Sequence, residues 1–230
     1  MKLQNTGKSI RIRIAEPADA DWLAATWANQ EFVDLYCSNI HPPSAESLRE
    51  NLSARQEIPV ESLGFIEFIV ERPNGERIGL GSLGNYAALH RRAELMIGIV
   101  DPALRRGTLG LEATLLLLDL AFNSYRLNKL FTFVYTYNEF SEANTVKLGF
   151  IQEGTLRQHH WHAEENRFID LYINGMTQDD FRQAEQIARW SRRLLGWDIT
   201  TAPASYTPGA AQPVDENTQE SLLKALSARR

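Results

Sequence analysis

AELMIGIVDPALRRGTLG, Ala93 to Gly110, runs from an apolar strand through a turn of arginine and glycine into a helix beginning near Leu109. From Ala93 to Val100 only Glu94 is polar, which predicts an interior strand buried on both faces. Asp101-Pro102 ends it, Arg105, Arg106, Gly107, Thr108 and Gly110 follow, and the helix then runs to Phe122 with only Glu112, Thr114 and Asp119 polar after Leu111. Backbone N–H groups at a helix start lack partners within the helix and carry the positive end of its dipole, so a glycine-loosened turn there closes around phosphate. Composition alone equally allows an ordinary strand–helix connection with solvated arginines.

On the N-terminal side, Leu63 to Glu71 and Arg77 to Leu83 flank Pro73-Asn74-Gly75-Glu76, an Asn-Gly turn that predicts an antiparallel hairpin. Gly79 to Gly84 spells G-x-G-x-x-G, but Asn85 to Arg92 reads as a polar loop rather than a helix. The glycines are therefore expected to thin a strand or permit a bulge, not to bind a dinucleotide. Lys8 to Ile14 alternates isoleucine with polar residues, as a half-exposed strand does. A helix carrying Trp22 and Trp27 follows, then a loop around Ile40 to Pro43, then a helix capped by Ser44 and reaching about Arg55.

On the C-terminal side, Leu130 to Tyr137 is a strand by its aromatic and β-branched content. Glu139 to Leu148 is a helix stopped by Gly149, and Phe150 to Trp161 pairs with Arg167 to Ile173 across a turn. Thr177 caps a final helix to about Leu195. The order of elements predicts a mixed α/β sheet of about seven strands with helices on both faces.

The 230 residues suit one domain with an appendage, expected over 1–198, with an Ala/Thr/Pro-rich linker over 199–214 and a tail or short amphipathic helix over 215–230. A single cysteine, Cys37, excludes an intramolecular disulfide and any Cys-based zinc site and fits a reducing cytoplasm. No run has signal-peptide or membrane-span character. A net charge of −5 argues against nucleic acid as a partner and favours a cationic acceptor.

With the AEL strand, the RRGTLG turn and its Gly110-Leu111-Glu112-Ala113 helix start, Asn138 to Ser141 (N-x-x-S) and Leu148 to Gly154 (LGF-x-x-EG) in this order, the chain resembles the GNAT superfamily of N-acetyltransferases. The likeness covers about Ile10 to Arg182 and is nearest the ribosomal-protein N-terminal acetyltransferase branch, with Arg157 and Asp170 where that branch carries an arginine and an aspartate. It implies a mostly antiparallel central sheet and acetyl-CoA as cosubstrate, without metal. The pyrophosphate would sit on the amides from Arg105 through Arg106, Gly107, Thr108 and Leu109 to Gly110, and the pantetheine along Ile99 and Val100, where their strand parts from the Leu130 strand. The family turn is commonly Q/R-x-x-G-x-G/A, and Thr108 stands in place of its first glycine, either crowding the phosphate or donating its hydroxyl to it.

Acyl transfer to an amine needs an unprotonated nucleophile, a polarised carbonyl and a proton for the departing thiolate. Glu94, on the face of Met96 and Gly98, is the candidate base, the alternative being a strand-end acid paired with Arg91 or Arg92. Ser141 either protonates the thiolate or caps its helix, and Asn138 holds the coenzyme arm, caps the helix, or both. In the run His159 to His162 only His160 and His162 share a strand face. No third ligand is visible, so the run reads as solvated hairpin or acceptor-pocket lining rather than metal site. The expected activity is acetyl transfer to a primary amine, either a peptide N-terminus or a small molecule. The alternative is a non-catalytic module binding acyl-CoA or protein. A homodimer is expected from family analogy alone.

Overall fold

A computed structural model describes residues 4–36, 42–163 and 165–203. Eight strands form one sheet: β1 (Gln4–Thr6), β2 (Arg11–Ile14), β3 (Ile66–Glu71), β4 (Arg77–Ala87), β5 (Arg92–Ile99), β6 (Lys129–Tyr135), β7 (Ile151–His162) and β8 (Arg167–Thr177). Their order across the sheet is β1-β2-β3-β4-β5-β6-β8-β7, with every neighbouring pair antiparallel except β5 and β6. The strand beyond the expected seven is β1, three residues returning on β2, too short for its alternation to register in the sequence.

The helices are α1 (Ala20–Trp27), α2 (Gln30–Tyr36), α3 (Ala45–Gln56), α4 (Pro102–Arg105), α5 (Leu109–Asp119), α6 (Glu139–Lys147), α7 (Gln178–Gln183) and α8 (Glu185–Leu194). Two of them, α2 and the single turn α4, were not anticipated. The expected last helix is divided at Ala184, whose ψ of 85° is not helical. One face of the sheet is covered by α5, fully buried from Glu112 to Leu118 and continued by a π-helical turn over Leu120–Ser124. The other carries α1, α2 and α3 over Leu23, Trp27, Phe32, Ile69 and Leu80, so Trp27 is core.

Three local expectations are corrected. β5 is not buried on both faces: Leu95 and Ile99 pack in the core with α5, whereas Glu94, Met96 and Gly98 are half-buried, and Glu94 and Met96 front a cleft. An apolar run cannot distinguish a strand covered by protein on both sides from one covered on one side. The polar loop expected over Asn85 to Arg92 is largely structured. There β4 bulges between Gly84 and Ala87 with Asn85 at φ 46°, and a 3-10 turn over Ala88–His90 leads into β5. The bulge expected of the glycine-rich strand is thus present, one residue past the last glycine. Finally, Ile199 and Thr200 are buried, and Ile199 O accepts from Asn123 Nδ2 at 2.8 Å, so packing continues past residue 198. Residues 204–230, most of the expected linker and all of the expected tail, lie outside the described residues, as does Cys37.

On β3 a titratable group is buried without use in the core: Glu67 is 7% exposed. Burial pushes its carboxyl up to about 7, Arg55 pulling it down and Asp19 adding to the rise. A carboxyl raised on folding leaves stability intact below its ordinary value of 4.5 and withdraws it as pH rises through about 7. Glu67→Gln is therefore expected to gain up to about 3 kcal/mol on wild type between pH 5 and pH 8. Urea unfolding at the two pH values checks this, and a pH-independent difference would contradict it.

Candidate active site

The decisive geometry is where β5 and β6 part. They pair only from Arg92, Ala93 and Glu94 against Lys129, Leu130 and Phe131, and beyond Glu94 no ladder joins them. At this fork a cleft of about 260 Å³ is lined by Glu94, Asn138 and Ser141, with Tyr36, His159 and His160 among its other walls. Residues far apart in sequence thus meet because β5 supplies the base candidate, the start of α6 the amide and hydroxyl, and α2 and β7 the flanks.

Glu94 forms no ion pair among the described residues. Its Oε2 instead accepts a hydrogen bond from Asn85 Nδ2 at 2.7 Å. Burial pushes its carboxyl above the ordinary 4.5, and the Asn85 hydrogen bond offsets part of the rise. Asn138 caps α6, its Oδ1 accepting from Ser141 N at 3.0 Å, and both residues line the cleft. Tyr36 is hydrogen-bonded through its hydroxyl to Ser82 Oγ at 2.6 Å and stacks on Phe32. Both rings lie against Gly98, where a Cβ would come within 2.8 Å of Tyr36 and 2.7 Å of Phe32. Gly98 is therefore what allows α2 to close the cleft.

In the turn before α5 the two arginines differ in their engagement. Arg105 is committed to the protein: Nε donates to Ile99 O at 2.9 Å, one terminal nitrogen to Val100 O at 2.8 Å and the other to Glu31 at 2.9 Å. An arm laid along Ile99 and Val100 therefore meets carbonyls that each already accept one hydrogen bond. Arg106 is exposed and makes no ion pair among the described residues, so it is the free charge of the turn. Thr108 is exposed, sits in the helical region at φ −89° and uses its side chain for no cap, while Glu112 N donates to its carbonyl. A Cβ at Gly107 or Gly110 would meet nothing closer than 3.7 Å. The fold itself does not require these glycines. What they keep clear is space over the N-terminus of α5, beginning at half-buried Leu109, which suits a phosphate cradle.

The histidines depart from simple alternation. β7 slips register between Leu156 and His160, with Gln158 at φ 49° and its N–H held by Asp170 Oδ1 at 2.7 Å. This bulge brings His159 and His160 together onto the cleft, so these two are not simply solvated hairpin. Asp170 thus fixes the bulge. Among the described residues no three His, Cys, Asp or Glu side chains converge as a metal site, and no helix is long and apolar enough to cross a membrane. Sequence reasoning missed Tyr36 and Asn85, whereas His159 belongs to the run for which acceptor-pocket lining was one of the two expectations. For Asn85 a signal existed: an asparagine directly after a glycine-rich strand tolerates the left-handed conformation a bulge requires.

A sheet forked at one parallel pair, with an open-topped helix start on one side and an acid-bearing cleft on the other, defines an acyl-transfer scaffold. Residues 9–151 match the family model for the acetyltransferase (GNAT) domain, and the chain belongs to that family as an acyltransferase. It is 29% identical over 174 residues to a putative ribosomal N-acetyltransferase, YdaF, of Bacillus subtilis, covering 74% of this chain and 87% of that one. It is 28% identical over 181 residues to the spermidine N(1)-acetyltransferase of Escherichia coli, covering 79% and 75%. Among solved structures, a probable acetyltransferase at 26% identity superposes with a TM-score of 0.63 over 74% of this chain and 93% of its own. The spermidine/spermine N-acetyltransferase SpeG of Vibrio cholerae, at 21% identity and the same score, covers 76% and 96% and shares the fold.

Proposed function

We propose that this enzyme transfers acetyl from acetyl-CoA to a primary amine by direct attack on the thioester. The observation that carries this reading is the meeting of Glu94, Asn138 and Ser141 in one cleft at the β5–β6 fork. Bound acetyl-CoA supplies the activated acyl group and a thiolate leaving group. The amides from Gly107 to Gly110 and the Arg106 guanidinium would hold its phosphates, and Asn138 Nδ2 its arm. Glu94 takes the proton from the incoming ammonium through water, its carboxyl held above the ordinary 4.5 by burial. The Ser141 hydroxyl donates to the departing sulfur, while the Asn138 cap holds its backbone in place. The acceptor is a peptide N-terminus or a small amine, and the chain's single cysteine agrees with work in a reducing cytoplasm.

Calorimetric titration of the purified chain with acetyl-CoA, beside free CoA, tests the first half of this reading. Micromolar binding is expected. Because the Thr108 side chain is exposed and makes no cap hydrogen bond among the described residues, Thr108→Gly should change affinity by no more than about threefold. Failure of the wild type to bind would overturn the reading. Binding by the glycine variant alone would mean that Thr108 closes the cradle. Turnover on a panel of amines tests the second half.

A further inference from the structure

Beside the Glu94 cleft, on the same face of the sheet, lies a second and larger hollow of about 380 Å³ whose lining includes Asn85, Arg92, Lys129, Phe131, Phe133 and Glu153. The two are continuous in composition: Phe133 lines both, and Asn85 lines one while donating to Glu94 in the other. The strand register explains the adjacency. Arg92 and Glu94 are two residues apart on β5 and so point to one face, about 7 Å apart along the strand. Their partners across the fork are Lys129 and Phe131.

The two cations of this hollow are not equivalent. Lys129 Nζ is held by both oxygens of Glu153, at 2.6 and 2.7 Å, and is locally neutralised. Arg92 is exposed and has no carboxylate partner among the described residues. Its guanidinium lies over the Phe131 ring at 5.7 Å from the centroid, a contact that orients the fork without cancelling its charge. Phe131 and Phe133, edge to face at 5.5 Å, form an apolar floor between this cation and the fork. Asn85 accepts the left-handed backbone at φ 46° that puts its amide between the hollow and Glu94.

We propose that this hollow is an acceptor subsite for an anionic group, and that the preferred acceptor is a small amino acid-like molecule. Its carboxylate docks on Arg92 while its amine is presented to Glu94. The inference rests on the acetyl-transfer reading above and names the acceptor class within it. A guanidinium recognises a carboxylate through two parallel hydrogen bonds, which fixes orientation as well as charge. A polyamine laid along the same floor would bring its second ammonium against Arg92, with the Glu153 carboxylate already engaged, and like charge so placed opposes binding. The local field therefore runs against the cationic acceptor that the net charge of −5 favours. Charge at the site, not over the whole chain, selects the ligand.

The test compares the full chain on matched acceptors: a panel of amino acids, the same molecules as carboxamides, and spermidine. The carboxylates are expected to exceed their amides by about 10- to 100-fold in kcat/KM, the worth of one charge-assisted hydrogen-bonded pair. In Arg92→Met that preference should collapse through KM for the carboxylates. Glu153→Gln, which releases Lys129, should deepen it. Equal rates on acid and amide, or preference for spermidine, would overturn the subsite while leaving acetyl transfer standing. If no amine is turned over, calorimetric binding of the amino acids and their amides to the CoA-bound protein still decides: carboxylate-dependent binding lost in Arg92→Met supports the subsite, and its absence overturns it. Absence of both turnover and acetyl-CoA binding instead overturns the acetyl-transfer reading.

Discussion

Glu94→Gln is expected to lower kcat/KM by about 10²- to 10⁴-fold, the usual worth of a positioned general base. Glutamine keeps the length and shape of the side chain and still offers an oxygen to Asn85 Nδ2, so the bulge at Asn85 and the β5 ladder have no reason to move. It removes only the ability to take a proton. Because burial raises the native carboxyl, a neutral amide at this position is also easier to bury than the ionised acid. The variant should therefore unfold no earlier than wild type at pH 8, and loss of turnover without loss of stability separates a chemical role from a structural one. In the wild type, activity should rise with pH through the raised pKa of Glu94, above the ordinary 4.5, and that limb should be missing in the variant. Full activity in Glu94→Gln at every pH would remove Glu94 from the mechanism.

The parts of this site that were legible in the sequence are those fixed by local pattern. Glu94 stood out as one acid in an apolar run, Asn138 and Ser141 as a cap spacing, and Gly107 and Gly110 as a loosened helix start. Each is set by neighbours within a few residues and lies on the kind of element its pattern indicates, although the Glu94 strand is open on one face rather than buried on both. Features set by neighbours distant in the chain were not legible. Asn85 reaches Glu94 only because β4 bulges, and His159 joins His160 only because β7 bulges. A single residue in the left-handed region reverses the alternation from which strand faces are read. In the sequence Arg105 reads only as the first amide of the phosphate turn or as a solvated arginine. Its actual partners, Ile99 O and Val100 O, lie on the strand it has just left, and Glu31 is far earlier in the chain. Arg92, without a carboxylate partner among the described residues and proposed above to dock the acceptor, precedes the quoted stretch by one residue. It becomes conspicuous only when the register sets Lys129 beside it and Glu153 neutralises that neighbour.

Asp19→Ala is expected to cost about 3–5 kcal/mol of stability and to weaken the acceptor side of the cleft with it. The side chain is 1% exposed and fully engaged: Arg13 donates through both terminal nitrogens at 2.7 and 2.8 Å, Arg77 Nε at 2.7 Å and the Glu16 N–H at 2.8 Å. Burial alone would raise this carboxyl, but the Arg13, Glu16 and Arg77 hydrogen bonds outweigh it and hold the carboxyl below its ordinary 3.8. Removing it leaves two guanidiniums facing one another, of which Arg13 keeps Glu71 and Arg77 keeps no carboxylate among the described residues. The same cluster ties the turn that starts α1 to β2 and β4, and α1 leads into α2, which carries Tyr36 to the cleft. Differential scanning calorimetry should show a drop on the order of 10 °C, and acceptor KM should rise more than kcat falls. A shift under about 2 °C would mean that the cluster adds little beyond an exposed pair. The pH dependence gives a second check of sign: a depressed carboxyl stabilises fully above 3.8 and withdraws that stability as pH falls through its lowered value, so wild type and variant should converge in acid. Glu67, raised to about 7 on the same side of the sheet, acts in the opposite direction. The two buried acids together favour greatest stability at mildly acidic pH, the depressed one withdrawing stability in acid and the raised one as pH climbs.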